Sequence, residues 1–158
     1  MMAAKQSAGL LLYRWGDGGI ELLLAHPGGP LWAKKDLGAW SIPKGEFLED
    51  EPPLSAARRE FAEEIGTRVE GEALALTPLK QPSRKVIHAF AVEHDLNVDR
   101  ISSNTFEMEW PPKSGKKAAF PEVDRAAWFG VEEARKRIQP GQMPILDELV
   151  RRLEAARP

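Results

Sequence analysis

At 158 residues the chain is long enough to bury a hydrophobic core, and one domain over residues 1–158 is expected. Its 22 Lys and Arg against 24 Asp and Glu leave a net charge of −2, which excludes the basic field that long nucleic acid requires but leaves room for small phosphorylated ligands. Cysteine is absent, so disulfides and thiolate metal sites are excluded; with an N-terminal run (MMAAKQSAGLLLYRW) too short for a signal peptide or membrane span, the expected setting is the reducing cytoplasm.

Ser7 to Trp15 reads as a first strand, with Gly16-Asp17-Gly18-Gly19 as the turn into a second, Ile20 to His26. Neither Leu10-Leu11-Leu12 nor Leu22-Leu23-Leu24 alternates with polar residues. Strands apolar throughout are covered on both faces, so helices are expected on each side of this sheet. Pro27 to Trp40 is rich in Gly and Pro and too long for a simple turn, which makes it an ordered functional loop. Two readings of its members stand side by side. Lys34 and Lys35 meet phosphates while Trp32 stacks on a base, or Trp32 pins the loop to the body and the lysines are solvated.

The chain then reaches GEFLEDEPPLSAARREFAEEIGT, Gly45 to Thr67. Leu54, Ala57, Phe61 and Ile65 recur at intervals of three and four, giving a helix one apolar face. Pro53 suits its first turn, with Asp50 and Glu51 near the positive end of the dipole, and Gly66 suits its left-handed C-terminal position. Glu60, Glu63 and Glu64 share another face, beside a small Ala56 expected to leave them room. Carboxylates at this spacing repel one another by a few tenths of a kcal/mol per pair unless a cation sits among them. Mg²⁺, with Mn²⁺ as a substitute, is the simplest neutraliser, since oxygen ligands together with substrate phosphates are how such an ion is held. A solvated charged helix is the competing reading of these residues taken alone.

The spacing around the run carries more. Gly45, Glu51, Arg59-Glu60, Glu63-Glu64 and Gly66 fill every charged and glycine position of a pattern that resembles the signature of the Nudix (MutT-like) hydrolases. Thr67 departs from it, standing where an aliphatic residue is usual, at a packing position. The resemblance implies an α/β/α sandwich with a mixed β-sheet between helices. It further implies hydrolysis of a diphosphate linkage in a nucleoside diphosphate joined to another group. Trp40-Ser41-Ile42-Pro43-Lys44-Gly45 is similar to the segment leading into the motif in many relatives. By that likeness the Lys44 backbone carbonyl reaches a metal and its side chain a substrate phosphate.

Beyond the motif, Arg68 to Leu79 and Lys85 to Glu93 read as strands joined by a turn at residues 80–84. Arg84 and Lys85 are either a second phosphate contact or strand-edge charges. His88 reads as a packed, hydrogen-bonded histidine. Asp95 to Asn104 is a polar connection, Thr105 to Trp110 a short strand with Glu107 and Glu109 on one side, and Pro111 to Lys117 a loop. Residues 120–129 resemble the late strand of the family, where a glutamate six residues before an aromatic approaches the metals; Glu122 fits that place. Val131 to Ile138 is a short helix, broken by Pro140-Gly141, and Met143 to Ala156 an amphipathic closing helix.

The chemistry these readings imply is cleavage at phosphorus by an in-line water, with Glu60, Glu63 and Glu64 holding the metal. The base is Glu63 or Glu64, or Glu122 from outside the helix. Arg59 fixes the rotamer of a motif carboxylate, and Gly45, Glu51 and Gly66 shape the loop and its helix. Substrate identity stays open between a nucleoside triphosphate, a dinucleoside polyphosphate and an ADP-sugar. Pro82 resembles a marker of the ADP-sugar branch. The markers of the NADH and one diadenosine-polyphosphate branch are absent. The alternative from another class is a non-catalytic nucleotide-sensing module on the same fold; such modules usually lose a helix carboxylate, and here all are present.

Overall fold

The computed structural model describes residues 5–156; Met1 to Ala4, part of the N-terminal run considered above, lie outside that range. In chain order the elements are β1 (Gln6–Gly16), β2 (Gly19–Pro27), β3 (Lys44–Glu46), α1 (Pro53–Ile65), β4 (Leu74–Ala75), β5 (Leu79–Lys80), β6 (Val86–Glu93), β7 (Thr105–Glu109), β8 (Lys117–Pro121), β9 (Val123–Gly130), α2 (Val131–Arg137) and α3 (Met143–Ala156). A single 3-10 turn, Pro140–Gln142, joins the last two helices.

The main sheet has seven strands in the order β4-β6-β1-β2-β9, with β3 paired to β1 and β5 to β6. It is mixed, because β1 and β6 run parallel while the other pairs are antiparallel. The apolar runs that refused to alternate are covered on both faces. Leu10 and Leu12 of β1 and Leu23 of β2 pack with Ala57, Phe61 and Ile65 of α1. Leu11, Leu22 and Leu24 point the other way, onto Ile145, Leu146 and Leu149 of α3. This is the expected α/β/α sandwich, and the period of two along each strand builds it.

One edge of β1 changes partner along its length. Ser7 to Gly9 pair with β3, whereas Tyr13 to Gly16 pair with β2. The sheet therefore opens between β2 and β3, bridged only at Ala25 and Ser41 among the described residues. That opening is where the candidate site lies.

Several readings are corrected in detail. Residues 68–79 form no continuous strand; only Leu74–Ala75 and Leu79–Lys80 pair, both with β6. Residues 117–121 are a strand rather than the end of a loop, and β7 and β8 form a separate two-stranded hairpin. Ala56 is fully buried in the core under α1. Asp50 and Glu51 lie before the first turn of α1, which carries no acid; Glu51 is instead clamped to Arg59.

Candidate active site

α1 starts and stops where its sequence marks it. Pro53 fills the first helical position, and Gly66 caps the other end at φ 89°, its N–H donating to the Ala62 carbonyl at 2.8 Å. With Phe61 and Ile65 sealed against the sheet, Glu60 and Glu64 are directed toward β3. Gly45 is required there. A Cβ on it would stand 2.0 Å from a Glu60 carboxylate oxygen, so only glycine lets the acid lie against the strand.

Arg59 ties the charged face together. Its Nε and Nη2 donate to the two oxygens of Glu51 at 2.8 and 2.9 Å, and its Nη1 reaches Glu60 at 2.9 Å and Glu63 at 3.2 Å. The fork is the geometry a guanidinium shares with a carboxylate. One cation thus bridges three acids brought from the loop and the helix.

Glu64 has no such partner and faces a cleft of about 200 Å³, which Lys44, Glu122, Trp32 and Ser41 also line. Burial, then the neighbouring Glu60, pushes its carboxyl up to about 8; Lys44 works against this by its charge and its backbone N–H, while Glu122 adds to it. Glu60 is also raised, first by burial, with Arg59 opposing. Burial and then the nearby Lys85 lower the Lys44 ammonium. A half-buried carboxyl raised first by burial and then by a like charge is a group poised for proton transfer or for a cation.

The remaining sequence candidates fall in different places. Trp32 packs on the core on the α3 side of the sheet and also lines the cleft. Lys34 and Lys35 are exposed on the loop, with the Lys35 ammonium 4.9 Å from the centre of the Trp32 ring. Lys85 pairs with Glu46 at 3.5 Å on the sheet edge, and Arg84 is an exposed turn residue at φ 71°; neither lines the cleft. Glu107 and Glu109 share the exposed side of β7, away from it. His88 Nε2 donates to Gln6 Oε1 at 2.6 Å and the ring packs edge-on to Phe47, as a packed histidine does.

Two polar residues the sequence reading passed over hold the cleft open. The Oε1 of buried Gln142 accepts the Ile42 N–H at 3.0 Å, and its Nε2 donates to Ser41 Oγ at 2.9 Å. Buried His26 faces Asp124 Oδ1 at 2.8 Å and the Lys35 carbonyl at 2.7 Å, fastening the loop to β9. Asp36 completes the fastening by accepting from Trp40 Nε1 at 2.8 Å and from Arg137 at 2.6 Å.

A hard divalent cation fits this donor set. Glu60, Glu64 and Glu122 offer only oxygen, and burial, the first cause of the raised Glu64 and Glu60 carboxyls, is a cost that a bound cation would offset. Among the described residues no three acids already converge as a finished cage, because Arg59 engages Glu60 and Glu63.

Fold and site together define an α/β/α sandwich with an acidic, lysine-edged cleft at the opening of its sheet. The NUDIX domain model matches residues 5–149, and the chain belongs to the Nudix family. Solved structures share the fold. The NUDIX domain of Shewanella oneidensis NrtR complexed with ADP ribose is 15% identical, covering 97% of this chain and 90% of that one at a TM-score of 0.66. A C. elegans Ap4A hydrolase binary complex is 21% identical over 96% and 99%, with a TM-score of 0.64. The E. coli ORF135 protein is 26% identical over 98% and 95%, with a TM-score of 0.57. No curated protein sequence matches the chain. No helix among the described residues is long and apolar enough to cross a membrane.

Proposed function

We propose that this Nudix enzyme is a divalent-metal-dependent pyrophosphohydrolase of a small nucleotide, working in the reducing compartment that its cysteine-free sequence suits. The observation that carries the reading is the meeting of Lys44, Glu64 and Glu122 in one cleft, with Glu64 raised to about 8. The names of two similar structures, an ADP-ribose complex and an Ap4A hydrolase, support a nucleotide diphosphate ligand for the same fold.

Glu60, Glu63, Glu64 and Glu122 are assigned to hold Mg²⁺ or Mn²⁺, with the Lys44 backbone carbonyl as a further oxygen. When bound, the ion neutralises phosphate oxygens and acidifies water. The chain's own side chains do the rest. Lys44 meets a phosphate of the substrate as a point charge, desolvated enough for its attraction to be felt. Glu64 is the favoured acceptor of the proton of the attacking water, since a carboxyl near neutrality can both take and release a proton at working pH. Glu63 and Glu122 remain the other candidates for that role. Arg59 keeps Glu60, Glu63 and Glu51 in register and is a positioning residue.

The test is phosphate release with product chromatography over nucleoside triphosphates, dinucleoside polyphosphates and ADP-sugars, with and without Mg²⁺ or Mn²⁺. Metal-dependent cleavage of one member at a diphosphate linkage is expected. Nucleotide binding with no cleavage of any member would replace this reading with a sensing module, which retention of every motif carboxylate argues against.

A further inference from the structure

A second cavity, of about 180 Å³, adjoins the acidic cleft; Leu31, Trp32, Phe106, Met108 and the Gly28–Gly29 backbone line it. Its walls come from the loop after β2 and from the β7–β8 hairpin, segments far apart in sequence. Along β7, Phe106 and Met108 alternate with exposed Glu107 and Glu109, so the strand period turns the apolar pair inward and the acids to solvent. The hairpin stands outside the main sheet and is seated on the loop by close backbone approach. A Cβ on Gly28 would lie 1.9 Å from the Pro121 carbonyl oxygen, and one on Gly29 2.9 Å from the Phe106 ring. The Gly28 N–H also donates to the Glu122 carbonyl at 2.9 Å.

The two cavities adjoin, with Pro27, Trp32 and Glu122 in the walls of both. One is acidic and lysine-edged and the other is aromatic and apolar, so together they match a ligand with an anionic half and a planar half. At about 180 Å³ the second cavity falls below the ~300 Å³ at which sites begin to enclose whole drug-sized ligands. It has room for one ring system, with the phosphates left to its neighbour. We propose that this slot takes the nucleobase of the substrate on Trp32, Phe106 and Met108, which makes the β7–β8 hairpin the specificity element of the enzyme. The assignment rests on the reading of the acidic cleft as the phosphate side of the site. A second copy of the chain or an apolar side chain of another protein would have no use for the adjoining acids.

The test is isothermal titration of the full chain in Mg²⁺ buffer with ADP and GDP, and with inorganic pyrophosphate as the probe that lacks a base. Two variants act in opposite ways: Phe106→Ala empties the slot and Met108→Trp fills it. Thermal melts check that both fold. Both are expected to lose about ten- to a hundredfold in affinity for whichever nucleotide the wild type binds, the range that base stacking on aromatics supplies. Pyrophosphate binding is expected to stay unchanged. Undiminished nucleotide affinity in both variants, an equal loss of pyrophosphate, or a wild type that binds neither nucleotide overturns the slot. Turnover measured in parallel separates the two readings. Cleavage that persists while the variants bind normally discards the slot alone, and base-dependent binding without cleavage of any nucleotide discards the hydrolase alone.

Discussion

Glu64→Gln is expected to make the metal-free protein more stable at alkaline pH while abolishing its turnover. The substitution preserves size and an acceptor oxygen but removes the charge. In the folded protein, burial and then Glu60 raise this carboxyl from 4.5 to about 8. Between those values the native state keeps a proton that the unfolded chain has released. The stability contributed by Glu64 is therefore complete below about pH 4.5 and is lost as pH rises through about 8. At ~1.4 kcal/mol per pH unit the full span comes to roughly 5 kcal/mol for a sealed group. Glu64 is only half-buried beside an open cleft, where water screens its neighbours, and about 2–3 kcal/mol is the working figure.

For a chain of this length each kcal/mol moves Tm by ~2–4 °C. After chelation, Glu64→Gln should thus melt roughly 4–12 °C above wild type at pH 9, and close to it at pH 5.5, where the wild-type carboxyl is already neutral. Added Mg²⁺ should raise the wild type at pH 9 by more than it raises the variant, which keeps the other assigned ligands but lacks the Glu64 charge. Turnover should fall by about 10²–10⁴, the share a positioned acid or base supplies. Parallel melting curves from pH 5.5 to 9 would show that Glu64 carries no stored charge penalty and would refute the electrostatic account of the site.

Gly45→Ala places a methyl group 2.0 Å from the Glu60 carboxylate; a cost of about 1–3 kcal/mol by urea unfolding is expected, with a fall in kcat larger than the stability loss explains. Arg59→Lys keeps the charge but loses the fork to Glu51 and the bonds to Glu60 and Glu63. Its turnover should drop at least about tenfold while Tm scarcely moves, because exposed ion pairs contribute only about 0–1 kcal/mol. Gln142→Leu leaves the buried Ile42 N–H unpaired, and about 2 kcal/mol should be lost in urea melts together with a raised KM. A KM unchanged in this variant would separate Gln142 from the cleft.

The motif helix was legible because its signals are local. Pro53, the three-four spacing of Leu54, Ala57, Phe61 and Ile65, and Gly66 each act within a turn or two of where they stand. The same holds for β1, β2 and α3, whose apolar patterns exceed any competing period. The β8 strand was not legible: KAAFP is short, contains proline, and becomes a strand only by pairing with β7. Residues 68–79 carry β-branched and apolar residues yet pair only in two short pieces, where β6 offers an edge. Gln142 and His26 escaped notice for another reason. Their partners lie 100 and 98 positions away, and a polar residue gives no sequence sign that a distant backbone group needs it.

Those distant bonds explain why the cleft can be preformed. The loop after β2 buries Ala39, Trp40 and, at its exit, Ile42 in the core, and its course is further set by bonds to three elements laid down much later in the chain. His26 and Asp124 tie it to β9, Asp36 and Arg137 tie it to α2, and Gln142 beyond α2 holds the strand that leaves it. Trp32 is consequently presented to both cavities without an ordering cost at the moment of binding. The acidic face of α1 is tolerated on the same logic. Glu60 and Glu64 are unfavourable neighbours in a helix, but Phe61 and Ile65, each next in sequence to one of them, are fully buried, and truncating one such residue costs about 2–5 kcal/mol. The two residues together exceed the roughly 2–3 kcal/mol assigned to Glu64, so packing on the inner face can hold the outer face in a state of charge that a bound cation or a proton relieves.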